Sequence, residues 1–172
     1  MDITELIQHD HEEQRRLFGI LQQIPDEDRD SLQAVWRRLR AFLEAHARAE
    51  ELHFYPSVLR RGRGGGDSEG VTEETRDAIS DHNEIRDKAA QVGGHDPGSA
   101  GWRAAVSAVE VANSKHMSEE ERQVLADFRL HADLDLRHRL AIAFAAFEAD
   151  HVDGVEPKDL DPAGYVRSHA PH

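Results

Sequence analysis

Four long stretches of this chain repeat apolar residues with the 3.6-residue period of a helix, and three strong breaks separate them. The first runs from about Ile3 to Ile24 and stops at Pro25, with Asp2 and Glu5 spaced as a capping box. The second runs from about Ser31 to Tyr55 and stops at Pro56. A glycine-rich loop, RGRGGGDSEG from Arg61 to Gly70, separates it from the third, which starts at Thr72, a good N-cap, and reaches Val92. The loop GGHDPGSAG leads to the fourth, from Trp102 to about Phe128. Nothing alternates with period two, so no strands are expected. The pattern predicts an all-α fold, an antiparallel up-down-up-down four-helix bundle over residues 1–128. An irregular helical domain is the alternative that periodicity leaves open.

Beyond the fourth stretch, Leu136, Leu140, Phe144 and Phe147 share one face of a helical pattern from Leu134 to Asp150. Residues 129–152 are therefore expected to hold an extra C-terminal helix, packed outside the others or serving as a homodimer contact. The turn-rich residues 153–172 read as a C-terminal tail with no periodic face.

Each of the four inward stripes is interrupted by a histidine. The first presents Ile3, Ile7, His11, Gln14, Phe18 and Leu21; the second carries His46, Glu50 and His53 below Leu39 and Leu43. The third has His82 between Ile79 and Ile85, and the fourth has His116 and Glu120 between Val109 and Val124. At ~1.5 Å per residue, antiparallel packing puts all four histidines roughly 12–18 Å from the same end. They are expected to meet at one level. Twelve histidines and 17 glutamates in 172 residues form an i,i+4 pair about once by chance; three occur, and His9 with Glu13 lies off the stripe. Stripe and depth together set the other two apart.

Burying those two carboxylates unpaired costs several kcal/mol each. At that level only Arg86, at a stripe edge, offers a positive charge. Cations would neutralise the carboxylates and use the imidazole lone pairs. Two His/Glu pairs plus two single histidines have the layout of a dinuclear carboxylate-histidine site, which suits iron, manganese or zinc. With no cysteine, thiolate sites and disulfides are excluded. A net charge of −13 disfavours nucleic acid and anionic membranes as partners. The longest apolar run, Leu140 to Phe147, is far short of a membrane span, and the acidic amino terminus lacks an apolar signal core. A cytoplasmic location is expected. No HExxH, Walker or G-x-S-x-G sequence supports a hydrolase or nucleotide-binding role.

The stretches QHDHEEQRRLF, AHARAEELHFYP, DHNEIRD and KHMSEEER resemble the four helix motifs of hemerythrin-like (HHE cation-binding) domains, over about residues 3–128. The resemblance implies two non-heme iron ions with an oxo or hydroxo bridge. Their ligands would be His11, His46, Glu50, His82, His116 and Glu120, with Glu50 and Glu120 bridging. Oxygen carriers of that family have a second histidine one turn before the third helix's histidine; this chain has Ala78 there, and Arg86 one turn after cannot ligate. His53 is the candidate seventh ligand.

The remaining histidines, His9, His95, His131, His138, His151, His169 and His172, read as ordinary polar residues, and Trp36 and Trp102 as core anchors. Glu51, Glu119 and Glu121 belong to the solvated face on this reading, with Glu51 and Glu121 near enough to tune the site. The function implied is binding of, or reaction with, O2, NO or hydrogen peroxide: peroxide decomposition of catalase or peroxidase type, or oxygen storage or redox sensing. The rival is an iron-responsive regulatory, storage or repair module without turnover.

Overall fold

The structure, a computed structural model, describes residues 1–65 and 70–171. Positions 66–69 of the expected glycine-rich loop, and His172, lie outside the described residues. The chain is all-helical, with no strand among the described residues. Helix α1 (Ile3–Gln23) is capped by Asp2, whose carboxylate accepts the Thr4 N–H at 2.9 Å, and it ends before Pro25 with Ile24 extended. Helix α2 (Arg29–Ala49) is capped by Asp28.

Pro56 does not end the second helix. A π-helical turn (Glu50–Phe54) follows α2 directly and passes into α3 (Tyr55–Arg61), with Pro56 in its first turn. In a regular helix the proline would strip the Leu52 carbonyl of its donor and clash with it. The wider turn bonds Tyr55 N–H back to the Glu50 carbonyl, five residues away, and lets the chain pass the ring. Helix α4 (Gly70–Val92) starts ahead of Thr72, so Thr72 lies in its first turn and is not the cap. The fourth stretch is two helices, α5 (Ala100–Arg122) and α6 (Val124–His131), broken at Gln123. There the Gln123 backbone presses on Gly65, where an added Cβ would meet the Gln123 carbonyl oxygen at 2.6 Å.

Side-chain bonds fix how the long helices run past one another. Along α1 and α5, Gln22 bonds Glu110, Gln14 bonds Asn113 and His11 bonds Glu121, an opposed register. Asp10 with His46 and Glu13 with Arg38 oppose α1 and α2; Glu51 with His82 and Glu44 with Arg86 oppose the second helix and α4. Two apolar clusters fill the interior. One is built on Ile3, Ile7, Phe54, Ile79 and Phe128, the other on Phe18, Leu39, Val109 and the Trp36–Trp102 pair. The buried histidines and glutamates form the layer between them.

Helix α7 (Leu134–Asp150) packs on α1, α2 and the π turn, burying Ala141 and Phe144. The stretch read as a plain tail contains a further helix, α8 (Pro162–His169), with Asp161 at its cap and Pro162 in its first turn. Asn83 clamps the approach by bonding both the N–H and the carbonyl of Leu160. Eight residues with only Tyr165 and Val166 buried are too few to show a period in sequence. The Tyr165 hydroxyl donates to the Glu51 carbonyl at 2.5 Å, tying α8 to the π turn. Tyr165→Phe is expected to lower stability by about 1 kcal/mol, read from urea unfolding; an unchanged midpoint would show the bond contributes nothing.

Candidate metal centre

The π turn decides which second-helix groups face inward. Glu50 and Glu51 are consecutive, yet they are 0% and 1% exposed. On a regular helix, neighbours point about 100° apart; here the widened turn leaves room for both inside. His11 from α1, His82 from α4, and His116 with Glu120 from α5 complete a buried layer, each 4% exposed or less.

The layer resolves into two donor groups that share one carboxylate. His11, His46 and Glu50 form one, and Glu50, His82 and His116 the other, with the donor atoms of each within 4.8 Å of one another. His46 Nε2 is 3.1 Å from one Glu50 oxygen and His82 Nε2 is 3.1 Å from the other. Glu120 stands beside the first group, 3.3 Å from His11 Nε2, and accepts a 2.7 Å bond from the Tyr55 hydroxyl. The structure therefore brings all six sequence-derived residues together. His53 is not among them. The wide turn carries it toward α7, where its half-buried ring lies edge-on to Phe147 at 5.7 Å.

A ring of outer carboxylates orients the imidazoles. Asp10 holds His46 Nδ1 at 3.2 Å, Glu51 holds His82 Nδ1 at 3.1 Å, and Glu121 holds His11 Nδ1 at 2.9 Å. Asp81 lies 3.9 Å from His116 Nδ1, and Glu148 of α7 is a second neighbour of His46, at 3.7 Å. Each of the four belongs to the helix next door and is the sequence neighbour of a residue in the layer: Asp10 of His11, Glu51 of Glu50, Asp81 of His82, Glu121 of Glu120. Basic groups back the ring, with Arg86 and Arg48 on Glu51, Arg15 on Glu121 and Lys115 on Asp81.

This arrangement suits cations. A carboxylate at Nδ1 keeps the proton there, so the Nε2 lone pair faces inward. His11 Nε2, His46 Nε2, both Glu50 oxygens and one Glu120 oxygen are buried without a hydrogen-bond partner despite lying 3.1–3.3 Å from one another. Lone pairs that close, converging without bonding, are what a positive ion satisfies. Protons answer the same demand: burial opposes a charge on His82, but the Glu50 and Glu51 carboxylates beside it outweigh burial and raise it to about 9. Burial likewise opposes charge on His46, and Glu50, Asp10 and Glu148 hold it well above its usual value. Burial, reinforced by His82, pushes His116 well below.

A family model described as Hemerythrin HHE cation binding domain matches residues 2–128. This chain belongs to that family. Membership carries cation binding, and the two His/Glu groups lie inside the matched segment. Neither the curated proteins nor the solved structures give a match. No described helix is long and apolar enough to cross a membrane.

Asp10, Asp81, Glu148 and Tyr55 were not singled out in the sequence, and Glu51 and Glu121 stood on the solvated face, near enough to tune the site. A signal was there: DH in the first and third helices and EE in the second and fourth flank the inward residues with acids.

Proposed function

We propose that this hemerythrin-family chain is a non-heme di-iron protein that binds or reacts with O2, NO or hydrogen peroxide. The observation carrying this is the pair of buried donor groups that meet at Glu50, their lone pairs turned inward. His11, His46 and Glu50 would hold one ion and His82, His116 and Glu50 the other, with Glu120 as the second shared carboxylate. Iron bound there supplies electrons and open coordination positions for a small ligand. The chain's own part is to orient the imidazoles through the outer carboxylates, to hold a proton on the Tyr55 hydroxyl beside Glu120, and to exclude bulk water with the two apolar clusters. The proposed frame is the antiparallel four-helix bundle. Its support is that the outer acids precede the inward residue on the first and third helices and follow it on the second and fourth. Alternating chain direction gives that pattern one rotational sense around a bundle.

Elemental analysis of protein reconstituted with iron under anaerobic conditions tests the reading. About two irons per chain are expected, followed by peroxide turnover or reversible oxygenation. No stoichiometric metal would overturn it. Proton release gives an independent check. His11, His46 and His82 are all raised, so each holds a proton more readily than a free imidazole and must lose it to ligate. Binding near neutral pH should therefore release protons, measured by calorimetry in buffers of different ionisation enthalpy. Release should fall as the pH rises through 9.

A second reading, an iron-responsive module without turnover, is favoured by the Tyr165 bond to the Glu51 carbonyl, which ties the C-terminal segment to the π turn. It expects iron loading to slow amide exchange across residues 129–171 without peroxide turnover. A homodimer through α7 would use its exposed Ile142 and Leu134.

A further inference from the structure

A cavity of about 510 Å³ runs from the surface between α2 and α4 to the imidazoles of His46, His82 and His116. Residues 153–157 form part of its wall. They lie close on α2: a Cβ on Gly154 would meet the Ala41 Cα at 3.2 Å. Gln14, one turn along α1 from His11, lines the same space and is 1% exposed. A glutamine in an otherwise apolar stripe needs partners for its amide. Only half of it is satisfied. Gln14 Oε1 accepts from Asn113 Nδ2 at 2.9 Å, while Gln14 Nε2 is buried with no partner. Asn113 fixes this orientation, because its amide nitrogen also reaches the Met117 sulfur at 3.6 Å, and a thioether only accepts. The Gln14 amide nitrogen is thus an unpaired donor on a residue that lines the cavity reaching three of the proposed ligand imidazoles.

We infer that Gln14 Nε2 donates a hydrogen bond to the small ligand that enters this cavity, and selects ligands bearing an anionic or peroxidic acceptor atom. The inference rests on the di-iron reading. An acceptor-bearing ligand such as hydrogen peroxide or azide repays a buried donor, whereas a purely apolar cavity would bind neutral O2 without one. Gln14 is then a specificity-determining residue, held by Asn113, and it makes no bond to the metal.

Azide titration of the iron-loaded full chain, followed by its iron-to-ligand absorption, tests this in wild type, Gln14→Leu and the near-isosteric Gln14→Met. With iron content equal in all three, both variants should bind azide about tenfold more weakly, with the absorption band shifted. Equal azide affinity in all three, at equal iron content, would overturn the inference and leave the di-iron reading intact. If both variants lose iron in step with azide binding, Gln14 supports the ligands structurally and the inference also fails. Wild-type protein that takes up no iron defeats the di-iron reading itself.

Discussion

Glu50→Ala should abolish stoichiometric metal binding, reducing about two ions per chain to almost none, whereas His116→Ala should leave about one. The difference follows from where the two residues sit. Glu50 belongs to both donor groups, and its two oxygens lie 3.1 Å from imidazoles on opposite sides, His46 and His82. Removing it takes a donor from each position and leaves four imidazoles with less negative charge to balance two cations. His116 belongs to one group only. The outer carboxylates form a graded control. Asp10→Asn and Glu121→Gln keep every inward donor and lose only the charge that fixes an imidazole, so each should weaken metal affinity about 10- to 100-fold without changing saturating stoichiometry. Elemental analysis under anaerobic iron, with circular dichroism to show that each variant is folded, reads all four. Two ions retained in Glu50→Ala would break the assignment of a shared carboxylate.

The six inward residues were readable because each sits on an apolar stripe. A histidine between Ile79 and Ile85, or between Val109 and Val124, stands out against neighbours whose burial the 3.6-residue period already requires. Helix rise alone places the four histidines at one depth. The outer acids were harder to place because they lie one residue off the stripe, where a charged side chain normally means solvent. Their destination depends on which helix lies alongside, and a stripe does not encode that. Asp10 illustrates it: adjacent to His11 in sequence, it serves His46. The full burial of Glu51 was hidden for a second reason. Its inward position depends on the π turn, which Pro56 makes necessary, while the usual rule has a helix stop before proline. Gln123 and α8 escaped for want of length, since a one-residue break and an eight-residue helix leave no periodic trace.

Arg86 is where these omissions converge, and Arg86→Ala should destabilise the metal-free protein by about 3–5 kcal/mol. From sequence it was a non-ligand at a stripe edge. In the structure it is the only lysine or arginine buried among the described residues, bonding Glu44 through Nε at 2.9 Å and Glu51 through Nη2 at 2.8 Å. The Glu51 side chain is fully buried, so without Arg86 its charge would rest on His82 and the partly exposed Arg48. An ion pair of this kind adds little over a well-packed apolar pair, but breaking it on one side strands a buried charge, and that cost is large. The triple variant Arg86→Met/Glu44→Gln/Glu51→Gln separates the two effects, since it removes the pair with its charges and should recover most of the lost stability. Urea unfolding of chelator-treated protein measures both without the stabilisation that metal binding adds. A loss below about 1 kcal/mol in Arg86→Ala would mean that Glu51 discharges or hydrates without penalty. The layer would then be wetter than its burial indicates. A loss in the expected range, recovered in the triple variant, would make Arg86 the fixed cation that lets Glu51 stay ionised beside His82 whether or not a metal is bound.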